Sequence, residues 1–298
     1  MSSAGTHRLL LDVSSMMYRA YFAMRDTVFA PDGRPVGALH GYLEMVTRLI
    51  ATRRPDEVVH VYDHEWRPVA RTDIYPAYKG TRPPDPEDLP PQFALLRGVL
   101  DLTGMLQAQT EGWEAEDAIG AFCLDAGSDD RLEIVSGDRD LIQLVQDPVV
   151  RLLYTVRGVS DLLELDEAGV LTKYGVPASR YAEFAILRGD PSDDLPGVKG
   201  VGEKTARALV QAFPSIEAIL AGAAEGSADI APRIRERLLE SSSYLDAMLR
   251  LVPVNGEAKL SLWAGGRDDA ALKELAAELG IKGPSQRLLA AIDAAGAA

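Results

Sequence analysis

Three short apolar runs in the first half of the chain each end in an aspartate: Arg8-Leu-Leu-Leu-Asp12, Glu57-Val-Val-His-Val-Tyr-Asp63 and Leu132-Glu-Ile-Val-Ser-Gly-Asp138. Each is rich in Val, Ile or Leu and is flanked by helical periodicity, the pattern of parallel strands buried on both faces. Alternating strands and helices predict an open α/β sheet, in which ligands sit outside the carboxyl ends of the strands. One aspartate at a strand end usually caps the next helix. Three on one sheet edge point to a site. Between Trp66 and Pro91 the periodicity fails, because prolines 68, 76, 83, 84, 86, 90 and 91 preclude one continuous long helix. That stretch carries Arg67, Arg71, Lys79 and Arg82 beside Trp66, Tyr75 and Tyr78, and a long irregular segment inside a domain is usually functional or disordered. After about residue 175 strand signals fade. Helical patterns cover 180–187, 203–213, 230–251 and 268–279, the Ala/Gly/Ser stretch 221–229 reads as a flexible connector, and the tail 293–298 reads as frayed.

Composition narrows the class. The 298 residues suffice for one large or two ordinary domains. The single cysteine, Cys123, excludes an internal disulfide and a zinc site built of thiolates, which suits a reducing, cytoplasmic setting. No apolar run reaches membrane-helix length, so no membrane partner is expected, and the first residues lack a secretory pattern. The net charge of −14 argues against a broadly basic nucleic-acid surface. Any such binding must use local patches.

The acids group in a way that explains part of that charge. Glu114, Glu116 and Asp117 open a helix, Asp138 and Asp140 bracket the end of a strand, and Asp190 and Asp193 lie in Asp190-Pro-Ser-Asp-Asp194. With Asp12 and Asp63 they make nine candidate metal ligands. Acids in a first helical turn are also favoured by the helix dipole, so no single one is diagnostic. Nine converging carboxylates, however, repel unless cations lie between them. Hard oxygen donors point to Mg²⁺ or Mn²⁺, and the histidines at 7, 40, 60 and 64 form no ligand spacing. Two such ions roughly 4 Å apart can clamp an in-line phosphoryl displacement.

Leu195-Pro-Gly-Val-Lys-Gly-Val-Gly-Glu-Lys-Thr-Ala206 reads as a tight turn into a helix. Gly200 and Gly202 permit positive φ, the new helix offers free N–H groups to an anion, and Lys199 and Lys204 add charge. The string resembles a helix–hairpin–helix, which grips a phosphodiester backbone without reading bases; the resemblance also implies a monovalent cation, K⁺, held by the turn.

Taken in order, these motifs are similar to those of the 5′-nuclease family, the 5′–3′ exonucleases and flap endonucleases, which also form the N-terminal part of bacterial type I DNA polymerases. The matching strings are Leu10-Leu-Asp12, Asp63 followed by Arg71-Thr-Asp-Ile-Tyr-Pro-Ala-Tyr-Lys-Gly-Thr-Arg82, Trp113-Glu-Ala-Glu-Asp117, Ser136-Gly-Asp-Arg-Asp-Leu-Ile-Gln143, and Gly189 through Ala206. The resemblance implies a stand-alone enzyme with a Rossmann-like (PIN-like) parallel-sheet core over 1–175, a basic helical arch over about 64–100, and a helical DNA-binding region over 176–298. It places the helix–hairpin–helix at about 186–213. It implies that the nine carboxylates hold two or more divalent cations, that Lys79 and Arg82 act catalytically by drawing the scissile phosphate inward, and that Arg19, Arg71, Tyr78, Gly197, Lys199, Gly200, Gly202, Lys204 and Thr205 meet DNA. For Tyr78, stacking on a base and packing inside the arch weigh about equally. The implied substrates are DNA with 5′ flaps, gaps or free 5′ ends, and RNA–DNA hybrids. The implied enzyme is a monomer, cytoplasmic and associated with the nucleoid.

The chain departs from the family pattern at Val13, Glu116 and Asp194, where glycine, aspartate and asparagine are usual. None removes a carboxylate, so activity is expected. Two other functions stand beside it: a non-catalytic flap-binding relative, which a degenerate acid set would favour, and a single-strand ribonuclease of similar core, which the hairpin and arch disfavour.

Overall fold

The computed structural model describes residues 5–25 and 27–296. Its centre is a seven-stranded sheet built from β1 (His7–Asp12), β2 (Glu57–Val61), β3 (Leu106–Thr110), β4 (Arg131–Ser136), β5 (Val150–Thr155), β6 (Leu162–Leu165) and β7 (Leu260–Trp263), in the order β6-β5-β4-β1-β2-β3-β7. The five middle strands are parallel, and β6 and β7 close the edges antiparallel. The connection sense reverses between β1 and β4, and a crevice opens at such a switch point.

Two apolar cores cover the two faces, which is why β1 is apolar without alternation. Leu10, Val59, Ile134 and Leu152 face one core and Leu9, Leu11, Val58 and Val135 the other. On the second face lie α1 (Val13–Met24), α2 (Gly37–Arg53) and α4 (Pro90–Thr103), joined from the far end of the chain by α12 (Asp269–Glu278) and α13 (Lys282–Ala295). The first face holds α5 (Ala115–Asp125), α6 (Glu167–Tyr174), α7 (Tyr181–Arg188), α8 (Glu203–Ala212), α9 (Ile216–Glu225), α10 (Pro232–Glu240) and α11 (Ser242–Leu251).

Several expectations are corrected here. The region after 175 is not purely helical: β7 pairs with β3, while α12 packs on α4 and α13 on α2. The connector expected at 221–229 is largely α9, capped by Ser215 and seated by buried Ile216 and Ile219. The pattern over 230–251 is two helices that meet at Ser241. Residues 293–295, expected to fray, end α13, while 297 and 298 lie outside the described residues.

The arch differs most. Only α3 (Val69–Ile74) is helical between Trp66 and Leu89, followed by a turn at Lys79 (φ 49°) and an extended proline-rich run. Missing N–H groups and fixed φ angles prevent a longer helix there. The helix that begins at Pro90 is a layer helix, with Leu96, Val99 and Leu100 in the core. No helix of the described residues is long and apolar enough to cross a membrane.

Candidate active site

At the carboxyl edge of the sheet a cleft of about 1950 Å³ is lined by Asp12, Asp63, Glu114, Glu116, Asp138 and Asp190, with Lys79, Arg82 and Arg19. Asp12 ends β1 and caps α1, accepting from Ser15 N (3.0 Å) and from Ser136 Oγ (2.6 Å). Ser136 thereby ties β4 to β1 across the switch point, and its Oγ also accepts from Asp138 N (2.9 Å). Asp63 accepts from Ser14 Oγ and from Ala115 N (2.7 Å), and so fixes the start of α5. Asp138 accepts from Asp140 N (2.8 Å).

The nine carboxylates, equal in the sequence, fall into two sets. Glu114, Glu116 and Asp117 surround Arg71, whose guanidinium bonds Glu114, reaches Glu116 at 2.6 Å and Asp117 at 2.9 Å. Lys79 and the Tyr78 hydroxyl (2.8 Å) also donate to Glu114. Asp193 pairs with Arg82 (2.7 Å), and Asp190 lies 3.9 Å from Arg188. Asp12, Asp63, Asp138 and Asp140 form the second set: among the described residues, no lysine or arginine lies within ion-pair distance of them.

Burial raises acids in both sets. Burial, then Asp63, pushes the Asp12 carboxyl up to about 7. Burial raises Asp63 as well, and burial with Asp138 holds Asp140 well above the usual carboxylate range. In the paired set three acids share two cations, and burial pushes Glu116 up. Burial opposes the charge on Lys79, but Glu114 and Asp193 hold it above its ordinary value. Among the described residues, no three His, Cys, Asp or Glu side chains stand as a ready cage for one ion. The donor chemistry nevertheless fits hard divalent cations: carboxylates that repel one another, with Lys79 acting on Asp63 and Asp140 only from beyond ion-pair distance.

Some expected DNA contacts turn inward. Arg71 is 2% exposed and Tyr78 equally so, the ring lying 5.9 Å from the guanidinium. The buried acids beneath them claim their polar groups. Lys79 is buried too, and Arg67 bonds the Tyr78 carbonyl (2.7 Å), so the basic segment closes on the acids instead of presenting an outward basic surface. Arg82 stays partly exposed at the cleft. Arg19 donates to the carbonyls of Thr155 (2.8 Å) and Val156 (3.2 Å). Of the departures, Val13 is wholly buried in the first turn of α1. Asp194, at φ 59°, accepts from Thr81 N (2.8 Å) and binds the segment instead of facing the acids. His64 serves as an acceptor for Gly112 N (3.0 Å).

The hairpin is the loop between α7 and α8. Gly197 (φ 67°) packs against the end of α7, where a Cβ would come within 2.5 Å of Gly189 N, so the turn needs glycine there for close approach. Lys199, Gly200, Gly202 and Lys204 are exposed and Thr205 half-buried, with Gly202 at the start of α8.

Models of the 5′–3′ exonuclease N-terminal resolvase-like domain and of the 5′–3′ exonuclease C-terminal SAM fold match residues 7–175 and 176–274. The chain belongs to the 5′–3′ exonuclease family. This 5′ nuclease is 42% identical to a 5′–3′ exonuclease of Streptomyces coelicolor, over 96% of this chain and all of that one, and 38% identical to one from Mycobacterium tuberculosis, over 96% and 97%. A thermostable DNA polymerase I of Thermus thermophilus is 31% identical over 91% of this chain but 31% of its own length. The fold is shared with a bacteriophage T5 flap endonuclease solved with DNA and metal ions (TM-score 0.65, 16% identical, 97% of this chain and 99% of that one). It is shared also with flap endonuclease-1 of Methanococcus jannaschii (0.62, 17%, 98% and 94%).

Sequence reasoning missed the serines. Ser14, Ser15 and Ser136 orient Asp12 and Asp63, and their only local signal is adjacency to the strand-end acids. It also assigned no role to Arg139, which lines the cleft between Asp138 and Asp140.

Proposed function

We propose that this 5′ nuclease hydrolyses DNA phosphodiesters at 5′ flaps, gaps and free 5′ ends, in primer removal and repair, with two or more divalent cations, Mg²⁺ or Mn²⁺. The observation that carries the proposal is the set Asp12, Asp63 and Asp138 lining one cleft, with Asp140 repelled by Asp138 beside it and, among the described residues, no lysine or arginine within ion-pair distance of the four. With Asp190 these residues would hold the ions, and Glu114, Glu116, Asp117 and Asp193 would complete the set as their charges are shared with Arg71, Lys79 and Arg82. Such ions supply an activated water and charge stabilisation at the leaving oxygen. Lys79 and Arg82, at the cleft wall, orient the incoming phosphate and offset its charge. Ser14, Ser15 and Ser136 keep the acids in one rotamer. The hairpin holds duplex DNA, with a K⁺ ion at its turn, and an RNA–DNA hybrid presents the same backbone. The enzyme works as a monomer in the cytoplasm, at the nucleoid.

The test is cleavage of 5′-labelled flap, gapped, blunt and RNA–DNA substrates with Mg²⁺, with Mn²⁺ and with EDTA. Products released from the flap and from the free 5′ ends that vanish in EDTA are expected. Undiminished cleavage in EDTA would overturn the metal assignment, and no release from any 5′ end or flap with either metal would overturn the nuclease reading.

A further inference from the structure

The chain carries a net charge of −14, yet one small pocket of about 310 Å³ is lined by Lys199, Gly200, Arg233, Ile234 and Arg237, with three cations and no acid. It lies where the hairpin turn meets α10. Arg233 and Arg237 are four apart on that helix and so share one face. Ile234 is the contact between the walls: a Cβ at Gly200, whose φ is +86°, would sit 4.0 Å from Ile234 Cδ1. Leu238, fully buried on the same helix, anchors α10 to the core and sets the distance of its arginines from the turn.

The charge there is little compensated. Arg237 pairs at its outer side with Glu240 at 2.6 Å, a partner itself 61% exposed. For Lys199 and Arg233, no carboxylate lies within ion-pair distance among the described residues. Three like charges facing one small space repel each other. Across the rest of this surface arginines are commonly matched with acids, as in Arg207–Glu203, Arg250–Asp246 and Arg267–Asp269. Exposed Gly200 of the turn and the arginines of α10 thus line one volume that suits an anion with several oxygens.

We infer that Arg233 and Arg237 of α10, with Lys199 and Gly200 of the hairpin turn, form one binding site for a backbone phosphate, so that the duplex is gripped between turn and helix. The inference rests on the reading of the hairpin as a duplex grip and extends it to a second element outside the hairpin. Nothing in the pocket reads a base edge, so the grip is indifferent to sequence. It acts on affinity and placement of the duplex, not on the reacting atoms.

The experiment uses the full chain and a fluorescent duplex without a flap, in EDTA to prevent cleavage, with dissociation constants measured from 50 to 400 mM KCl. Each phosphate contact contributes a slope of about 0.9 in log K against log salt, which over the decade from 1 M to 0.1 M is about eightfold in affinity. Arg233→Ala with Arg237→Ala should flatten the slope by about 0.9 and weaken binding at 0.1 M KCl by about eightfold, equally for duplexes of different sequence. Arg233→Lys with Arg237→Lys should restore most of the slope, which a merely structural defect would not allow, and matching melting curves check the fold. Arg250→Ala, an arginine outside the pocket, should change nothing. An unchanged slope for the alanine pair, while Lys199→Ala with Lys204→Ala flattens it, overturns the inference and leaves the hairpin reading intact. Unchanged slopes for both pairs overturn both. A slope flattened by the alanine pair but not restored by the lysine pair overturns the inference in favour of a packing role.

Discussion

Replacing Arg71 with methionine tests the division of the acids most directly. The Arg71 guanidinium is the hub for Glu114, Glu116 and Asp117, and it lies 5.9 Å from the rings of both Tyr78 and Trp113. In the wild type three buried carboxylates share Arg71 and Lys79, a net charge of one unit, and in Arg71→Met the excess becomes two. Removing one partner of a buried ion cluster costs about 3–5 kcal/mol, because the remaining charges are left without compensation. Against a total stability of roughly 5–15 kcal/mol the loss should be visible as a large fall in the urea midpoint. The pH dependence has a definite sign. Burial raises Glu116 above its unfolded value, so between those two values the native state binds more protons and stability falls as pH rises. Arg71 is the main group lowering that pKa, so its removal widens the window. Urea unfolding followed by circular dichroism should therefore show a greater loss at pH 8 than at pH 5. Methionine can fill the volume but carries no charge, so packing alone would give a smaller, pH-independent loss. A wild-type midpoint, or a loss that grows toward pH 5, would refute the reasoning. The salt slope of DNA binding by the folded variant should be that of the wild type, since Arg71 is buried.

Asp12→Asn should abolish cleavage of flap DNA while raising the EDTA-treated protein's stability at pH 8 by about 1–3 kcal/mol, since burial and Asp63 penalise the charge that asparagine lacks and only the Ser136 hydrogen bond is lost; a less stable variant in urea titrations would contradict this. Asp138→Asn should likewise end cleavage and leave flap binding near wild type, and near-normal turnover would remove it from the ligand set. Lys79→Ala and Arg82→Ala should slow single-turnover cleavage far more than they weaken duplex binding, and unchanged rates would assign them to Glu114 and Asp193 alone. Glu116→Asp should retain activity and move preference toward Mg²⁺, whose octahedral demands suit the shorter acid, while Glu116→Ala should lose much of the rate with either ion; wild-type cleavage by Glu116→Ala at low metal would strike Glu116 from the site.

The sheet edge was legible in the sequence because its signals are local. Asp12, Asp63 and Asp138 follow apolar runs, and an acid at the end of a buried strand has to sit where backbone N–H groups and solvent meet. The hairpin was legible for a similar reason, since Gly200 needs a positive φ and the exposed lysines flank it. Elements whose stability is tertiary were not. Strand β3 reads Leu-Gln-Ala-Gln-Thr, and its Gln107 is fully buried only because Tyr62 and Asp101 satisfy its amide. Strand β7 depends on β3 for its pairing, and α13 depends on α2 for the surface its apolar face covers.

The sequence by itself determined the inventory: an α/β sheet with acids at its carboxyl edge, a proline-broken basic segment and a glycine turn into a helix, all set by periodicity, by proline's fixed φ and by glycine's freedom. It also determined the family, through motifs in one order. Only the tertiary structure decided how the charges pair. Arg71 and Lys79 lie 43 and 35 residues from Glu114, and no local pattern tells a basic residue that meets DNA from one that neutralises a buried acid. That choice is made when the segment closes over α5, because desolvated carboxylates take the nearest cation that folding brings to them. Among the described residues it leaves Asp12, Asp63, Asp138 and Asp140 with no lysine or arginine at ion-pair distance.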